Sequence, residues 1–254
     1  MTLADKILSS FQQKKSLNPE IWTLDTNNEY RLRKEIRDKL LLTANDFLEF
    51  IDIDNIDCDV DTQQCDIADI TITGSICNYN WSKFSDIDLH LLLDYDEIDE
   101  NTSLVKNILN TKKNLWNASH HILIKGYEVE VYAQDVNEVH HSSGVYSVLF
   151  DKWITQPTKT NKNIDFNKVL EKSLGWMEMI DDIHVNAYNM SSEEVLDVID
   201  KIKTKLKKFR GAGLEKGGEY SYENLAFKFL RRSGYIKKLF DLKNKVLDLS
   251  LSLD

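Results

Sequence analysis

The sequence predicts a mixed α/β domain (α+β, with a mixed sheet) over residues 1–160, followed by an all-helical domain over residues 161–254. The first observation is that residues 68–75 and 86–93 alternate β-branched or apolar residues with polar ones, a pattern typical of strands. The second is that apolar residues recur at helical spacing from about residue 165 onward. Together these patterns predict a sheet-containing domain first and helices after it.

The elements of the first domain follow from the spacing of its apolar residues. Residues 2–14 have the spacing of a short amphipathic helix, and residues 29–51 carry one long apolar stripe that predicts a second helix. A polar turn with a short helical piece is predicted over 76–85. A further helix over 102–117 and strands over 120–125, 127–134 and 145–150 complete the predicted domain.

The second domain is predicted to contain three helices, preceded by a boundary between Pro157 and Asp165. Asp165 and Ser191 are suitable N-cap residues for the first two helices. The segment Gly211–Gly218 holds four of the nine glycines and is predicted to be a non-helical link. The three predicted helices cover 165–184, 191–210 and 221–250.

Composition limits the class of protein. With 254 residues, 42% of them hydrophobic and 29% charged, the chain is able to bury a sizeable core and is not a disordered or low-complexity sequence. No apolar run approaches the length of a membrane span, so we expect no membrane partner. The three cysteines are odd in number and have no metal-binding spacing, which favours a reduced, intracellular compartment.

Charge is unevenly distributed along the chain. The net charge is -10, yet residues 201–254 contain 14 basic and 6 acidic residues. The remaining residues carry a large negative excess. A coat of nucleic acid over the whole protein is therefore not expected, whereas a local anion site on the last segment is.

Two other candidate metal sites are weak. Asp57, Asp59 and Asp61 have the spacing of a calcium loop, but Thr62 and Ala68 replace the glycine and glutamate that such a loop needs. A solvated loop is the better interpretation. The adjacent histidine pairs, 120–121 and 140–141, point to opposite sides of an extended chain and do not form a zinc clamp.

The informative pair is Asp86 and Asp88. Side chains alternate across a strand, so both carboxylates project from one face while Ile87 and Leu89 project from the other. Unpaired charges inside an apolar strand are costly, which argues for a function. Two carboxylates about 7 Å apart along a strand are able to share divalent cations. The preceding strand ends in Gly74-Ser75, which supplies a tight turn, a backbone N–H and a hydroxyl for a phosphate.

This pattern, Gly-Ser followed after ten residues by Asp-x-Asp-apolar, resembles the nucleotidyltransferase superfamily related to DNA polymerase beta. The resemblance covers about residues 68–157. It implies a third carboxylate from a later strand, and Glu128 and Glu130 both lie on one face of the predicted strand. We favour Glu130, which lies between apolar strand residues. The composition is also similar to that of small nucleotidyltransferase-like proteins of phages and bacteria, which implies a cytoplasmic location, the host cytoplasm for a phage protein.

The resemblance implies transfer of a nucleoside monophosphate from a nucleoside triphosphate to an acceptor hydroxyl, with release of pyrophosphate. Two Mg²⁺ ions, which Mn²⁺ could replace, are expected on Asp86, Asp88 and Glu130. Gly74 and Ser75 are expected to hold the terminal phosphates. The acceptor stays open between an RNA 3′ end, a nucleotide, a small molecule and a protein.

The family places a helical domain across the cleft from the catalytic sheet. By this resemblance Lys205, Lys208 and Arg232 are candidates to hold the triphosphate or a polyanionic acceptor, although cations near helix ends are often only solvated. Two other functions compete with the enzyme: a catalytically silent module that senses a nucleotide or RNA, and a non-enzymatic partner protein of the same fold.

Overall fold

We describe the protein from a computed structural model, which defines residues 1–52, 67–138, 142–159 and 163–253. The calcium-loop aspartates considered above and the second histidine pair lie outside these residues. No helix within the described ranges is long and apolar enough to cross a membrane.

The chain divides into two compact units. The first, which we call the sheet unit, comprises Gln13–Thr160. The second, the helical unit, joins Met1–Gln12 to Asn161–Asp254. The first helix, α1 (Leu3–Ser9), therefore packs with the C-terminal helices, although the sequence grouped it with residues 1–160.

A short antiparallel ribbon precedes the main sheet. It consists of β1 (Trp22–Leu24) and β2 (Tyr30–Leu32), and helix α2 (Lys34–Ile51) follows it directly. The predicted start of this helix at residue 29 is wrong. Leu32 is buried as part of β2, where it pairs with Trp22, and not as part of the helical stripe.

Within the described residues, the main sheet has six strands in the order β5-β6-β4-β3-β7-β8. Strands β4 and β6 are parallel and the other pairs are antiparallel, so the sheet is mixed, as predicted. Each predicted strand has a counterpart, but those predicted over 120–125 and 145–150 are shorter than expected, and β8 is an addition. The strands are β3 (Asp69–Thr73), β4 (Ile87–Leu93), β5 (Leu123–Ile124), β6 (Tyr127–Asp135), β7 (Val145–Ser147) and β8 (Lys152–Thr155).

Helices cover one face of this sheet. The short α3 (Tyr95–Ile98) leads into α4 (Thr102–Ser119), which packs on β6 and on α2. The alternate residues Ile87, Leu89 and Leu91 of β4 are fully buried in the core that includes these helices. Burial of a leucine-sized side chain stabilises a fold by about 1.5–3 kcal/mol, so this face fixes the register of β4. The opposite face of β4 is left for polar side chains.

The helical unit contains four long or medium helices besides α1. The predicted N-caps are confirmed: Asp165 caps the first of them, and Ser191 forms a capping box with Glu194 on the second. Ile199 and Leu230 are among the fully buried residues of its core. The helices are α5 (Phe166–Asn186), α6 (Ser192–Gly217), α7 (Tyr222–Arg232) and α8 (Tyr235–Leu251).

Two predictions about this unit are wrong. The glycine-rich link at 211–218 is helical as far as Gly217, because a helix tolerates isolated glycines where tertiary packing favours it. The single helix predicted over 221–250 is two helices. Gly234 breaks it with φ of 86°, a left-handed conformation that glycine adopts without a steric penalty.

Two glycine substitutions test these helix boundaries. Gly234→Ala should destabilise the helical unit by about 1 kcal/mol, because alanine is strained at positive φ. Gly211→Ala should stabilise it by about 0.5–1 kcal/mol, because this helical glycine has open space where a Cβ would lie. Calorimetric unfolding of the full chain measures both. Melting temperatures that shift in the same direction would contradict the helix boundaries described here.

Candidate metal centre

Three carboxylates meet where the parallel pairing of β4 with β6 begins. The two strands are parallel, and Asp88 is in register with Glu130. Asp86 lies immediately before β4. One carboxylate oxygen from each of the three residues lies within 4.8 Å of the other two, and all three residues are half-buried. Such a cluster is able to share a cation that prefers oxygen ligands.

The local sequence explains why these acids face outward from the core. Ile87 and Leu89 flank Asp88 and are fully buried on the helix-covered face. Because side chains alternate along a strand, Asp88 must project to the other face. Val129 and Val131 are buried on either side of Glu130 and orient it in the same way.

Gly74 lies directly against this cluster. A Cβ built on Gly74 would lie 2.3 Å from Oδ2 of Asp88, closer than real Cβ atoms come to any neighbour. The residue also has φ of 80°, which glycine adopts freely and other residues rarely do. Both observations mean that only glycine fits between the end of β3 and the Asp88 carboxylate.

Ser75 opens a short 3₁₀ turn that is tied to the segment before Asp86. Its hydroxyl and the hydroxyl of Ser85 are hydrogen-bonded at 2.7 Å, and Ser85 Oγ also accepts from the backbone N–H of Ser82 at 3.0 Å. The indole of Trp22 donates to the carbonyl of Ile76 at 2.9 Å and so anchors the turn from the other side. The Gly-Ser turn is thus held in place by one hydrogen bond to Ser85 and another to Trp22.

Tyr132 orients the third carboxylate. It follows Glu130 by two residues on the same face of β6, and its hydroxyl donates to Oε2 of Glu130 at 2.5 Å. Burial raises the pKa of Tyr132 well above its usual range, and the hydrogen bond to Glu130 and the charge of Asp88 raise it further. The phenol, which is protonated at neutral pH at its ordinary pKa, is able to donate to the carboxylate.

The ring of Tyr132 is itself packed between two residues. His90 stacks on it with ring centroids 4.8 Å apart, and His90 Nε2 is hydrogen-bonded to the hydroxyl of Thr73 at 3.2 Å. The ammonium of Lys113 lies 4.8 Å from the centre of the same ring. His90 thus lies beside the cluster, with its ring held by Thr73 and Tyr132.

Three carboxylates converge from two parallel strands on a turn that only glycine permits. This convergence decides how the centre is interpreted. Comparison of the chain with family models, curated proteins and solved structures returns no match. The chemistry of this centre is therefore argued from its own residues and geometry.

The alternative third carboxylate lies apart from the cluster. Glu128 is exposed, and its Oε1 atom lies 2.8 Å from Nδ1 of His121. The neighbouring His120 stacks on Trp116 with ring centroids 3.8 Å apart. The structure therefore brings Glu130, and not Glu128, to Asp86 and Asp88.

The three C-terminal candidates lie in the helical unit. Lys205 and Lys208 are exposed on α6. Arg232, at the end of α7, donates to the hydroxyl of Ser10 at 2.7 Å, and its guanidinium lies 5.0 Å from the ring centre of Phe11. Arg232 thus contributes contacts that hold α1 within its own unit.

Sequence reasoning missed the residues that support the centre. Tyr132 could have been found, because it shares the strand face of Glu130. Ser85 could have been found as the residue before Asp86. The contribution of Ser142, whose hydroxyl accepts from the Gly74 N–H at 3.4 Å, had no signal in the sequence because it comes from a distant segment.

Tyr132→Phe should weaken metal binding about 10-fold, the lower end of the usual effect of removing a partner that orients a ligand. Tyr95→Phe is the matched control, since the Tyr95 hydroxyl also donates to β6, at the carbonyl of Ala133. Calorimetric titration with Mn²⁺ measures both affinities. Equal affinities in the two variants would show that the bond to Glu130 has no influence on the centre.

Proposed function

We propose that this chain is a nucleotidyltransferase, which moves a nucleoside monophosphate from a nucleoside triphosphate to an acceptor hydroxyl and releases pyrophosphate. The observation that carries the proposal is the cluster of Asp86, Asp88 and Glu130, with ligand oxygens within 4.8 Å of one another beside the Gly74-Ser75 turn. The strand order supports it, because the parallel pair β4 and β6 presents the three acids at one end of the sheet.

The donor set suits Mg²⁺ or Mn²⁺. All three candidate ligands are carboxylates, the oxygen donors that these ions prefer, and Mg²⁺ commonly binds one or two carboxylates together with substrate phosphates. The missing Cβ at Gly74 allows the turn to lie directly against the Asp88 carboxylate. When bound, two such ions would neutralise the phosphate charges and assist attack of the acceptor oxygen.

The residues of the chain have separate tasks in this proposal. Asp86 and Asp88 hold the cations, and Glu130, kept in position by Tyr132, completes the set. Ser75 and the N–H groups of its turn bind the terminal phosphates, for which a rigid turn of backbone donors is suited. Correct positioning of the reacting groups accounts for much of the catalysis in phosphoryl transfer, so a turn fixed at both ends is an advantage.

The test is incubation of the purified chain with each radiolabelled nucleoside triphosphate, Mg²⁺ and a panel of acceptors. The panel contains RNA, nucleotides, hydroxyl-bearing small molecules and protein. We expect pyrophosphate release and label on one class of acceptor. A thermal shift with Mg²⁺ and a triphosphate, without pyrophosphate release, would instead indicate a nucleotide sensor. Absence of both responses would indicate a non-enzymatic protein of this fold.

A further inference from the structure

A groove of about 580 Å³ lies within the helical unit, between α6, α7 and α8. Its floor is mainly apolar and includes Leu206 together with two aromatic rings, Phe227 and Phe240. Phe240 is 42% exposed, a large fraction for an aromatic residue beside a hydrophobic core. The ammonium of Lys203 lies 4.8 Å from the centre of the Phe240 ring, and an exposed aromatic ring beside a cation is suited to stacking against a base.

One wall of the groove is positively charged. Lys203, Lys207 and Arg210 line it, and their spacing of four and three residues places them along one face of α6. Asp200 also lines the groove; its carboxylate lies 3.9 Å from Lys203 and pairs with Lys243 at 2.7 Å. In the part of the chain that the structure describes, Lys207 and Arg210 form no ion pair with a carboxylate, while Arg210 donates to Asn224 and its guanidinium lies 4.6 Å from the ring centre of Phe227.

More positive charge adjoins this wall on α7. Burial lowers the pKa of Lys228; Glu219 opposes this shift, and the charges of Arg232, Arg231 and Arg210 add to it. Partial burial also lowers the pKa of Arg210, and the charge of Arg231 lowers it further. Like charges thus repel one another here, and an anionic ligand would relieve this repulsion.

We propose that this groove binds single-stranded nucleic acid, with the phosphates on the α6 cations and a base against the exposed ring of Phe240. The rise of an α-helix places Lys203 and Lys207 about 6 Å apart along the axis. This distance is comparable to the spacing of successive phosphates in an extended single strand. A duplex, with its bases stacked and paired inside, would leave the apolar floor without a partner.

This inference is independent of the proposed transferase activity, because no residue of the carboxylate cluster takes part. Binding should therefore be unchanged in Asp88→Asn. Each result can be obtained without the other.

Fluorescence anisotropy of the full chain with a labelled strand of about 12 nucleotides tests the groove. RNA and DNA strands are separate arms, and a hairpin duplex is a third. We expect single strands to bind more tightly than the duplex, and the double variant Lys207→Glu with Arg210→Glu to bind at least about 10-fold more weakly than the wild type. Phe240→Ala should weaken binding about fivefold or more through loss of stacking.

The matched control is Lys245→Glu, which reverses an exposed charge of α8 outside the groove lining. It should change the affinity less than about twofold at moderate salt. Since Arg210 also donates to Asn224, Lys207→Glu alone replaces the double variant if the latter unfolds. The proposal is overturned if the wild type binds no strand, if the control loses as much affinity as the groove variants, or if poly-glutamate competes as well as RNA does.

Discussion

Asp88→Asn is expected to lower the rate of pyrophosphate release by about 10³-fold, the scale seen when a group that stabilises transition-state charge is removed. The amide keeps the shape of the carboxylate but not its negative charge, so the cations that we propose for Asp86, Asp88 and Glu130 would bind weakly. The effect is large because all three acids contribute to one small region, within 4.8 Å. Release of pyrophosphate at saturating triphosphate and Mg²⁺ is the measurement.

The same variant should lose activity without losing stability. Without a cation, three neighbouring carboxylates repel one another, so neutralising one of them should leave the melting temperature unchanged or raise it. Added Mg²⁺ should then raise the melting temperature of the wild type but not that of the variant. A variant that is simply misfolded would lose activity and also melt at a lower temperature.

Glu130→Gln and Glu128→Gln form the matched pair for the third acid. Both remove one charge from the same face of β6, but only Glu130 belongs to the cluster, while Glu128 is exposed beside His121. We expect activity close to that of the wild type in Glu128→Gln and a loss comparable to that of Asp88→Asn in Glu130→Gln. Near-wild-type turnover in both Asp88→Asn and Glu130→Gln would exclude the metal centre as the site of catalysis.

Much of the fold could be predicted because the spacing of hydrophobic residues along the chain indicates which side chains are buried. The alternation around Leu89 and Leu91 gave β4, and the capping residues Asp165 and Ser191 gave the helix starts. The errors arose where packing outweighs local preference. Leu32 fits a helical stripe equally well, but its pairing with Trp22 across the ribbon is a contact that local periodicity does not contain.

The candidate site was predictable to the extent that its residues are close in sequence. Asp86 and Asp88 share a face by strand geometry alone, but the choice between Glu128 and Glu130 depends on register. Only the parallel pairing of β4 with β6 brings Glu130 opposite Asp88. The proximity of Gly74 to the Asp88 carboxylate likewise depends on the tertiary fold, because the sequence spacing of Gly-Ser and Asp-x-Asp does not give the distance between them in space.

Gly74→Ala should disable the centre more selectively than any other change to the turn. The added methyl group would lie 2.3 Å from Oδ2 of Asp88, so either the carboxylate or the turn must move. A displacement of about 1 Å in a catalytic group commonly costs about 10²-fold in rate. We therefore expect at least that loss of pyrophosphate release, together with weaker binding of Mn²⁺ in a calorimetric titration.

The strain of an alanine at positive φ must be separated from this collision, and Gly126→Ala does so. Gly126 has φ of 79°, almost the same as the 80° of Gly74, and a Cβ there meets no atom within 4 Å. Both variants should therefore lose about 1–2 kcal/mol of stability from the backbone alone. Only Gly74→Ala should also lose metal affinity and turnover, because only its methyl group reaches a carboxylate. If the two variants lost activity equally, the contact between Gly74 and Asp88 would have no part in the chemistry, and the Gly-Ser turn would serve the fold alone.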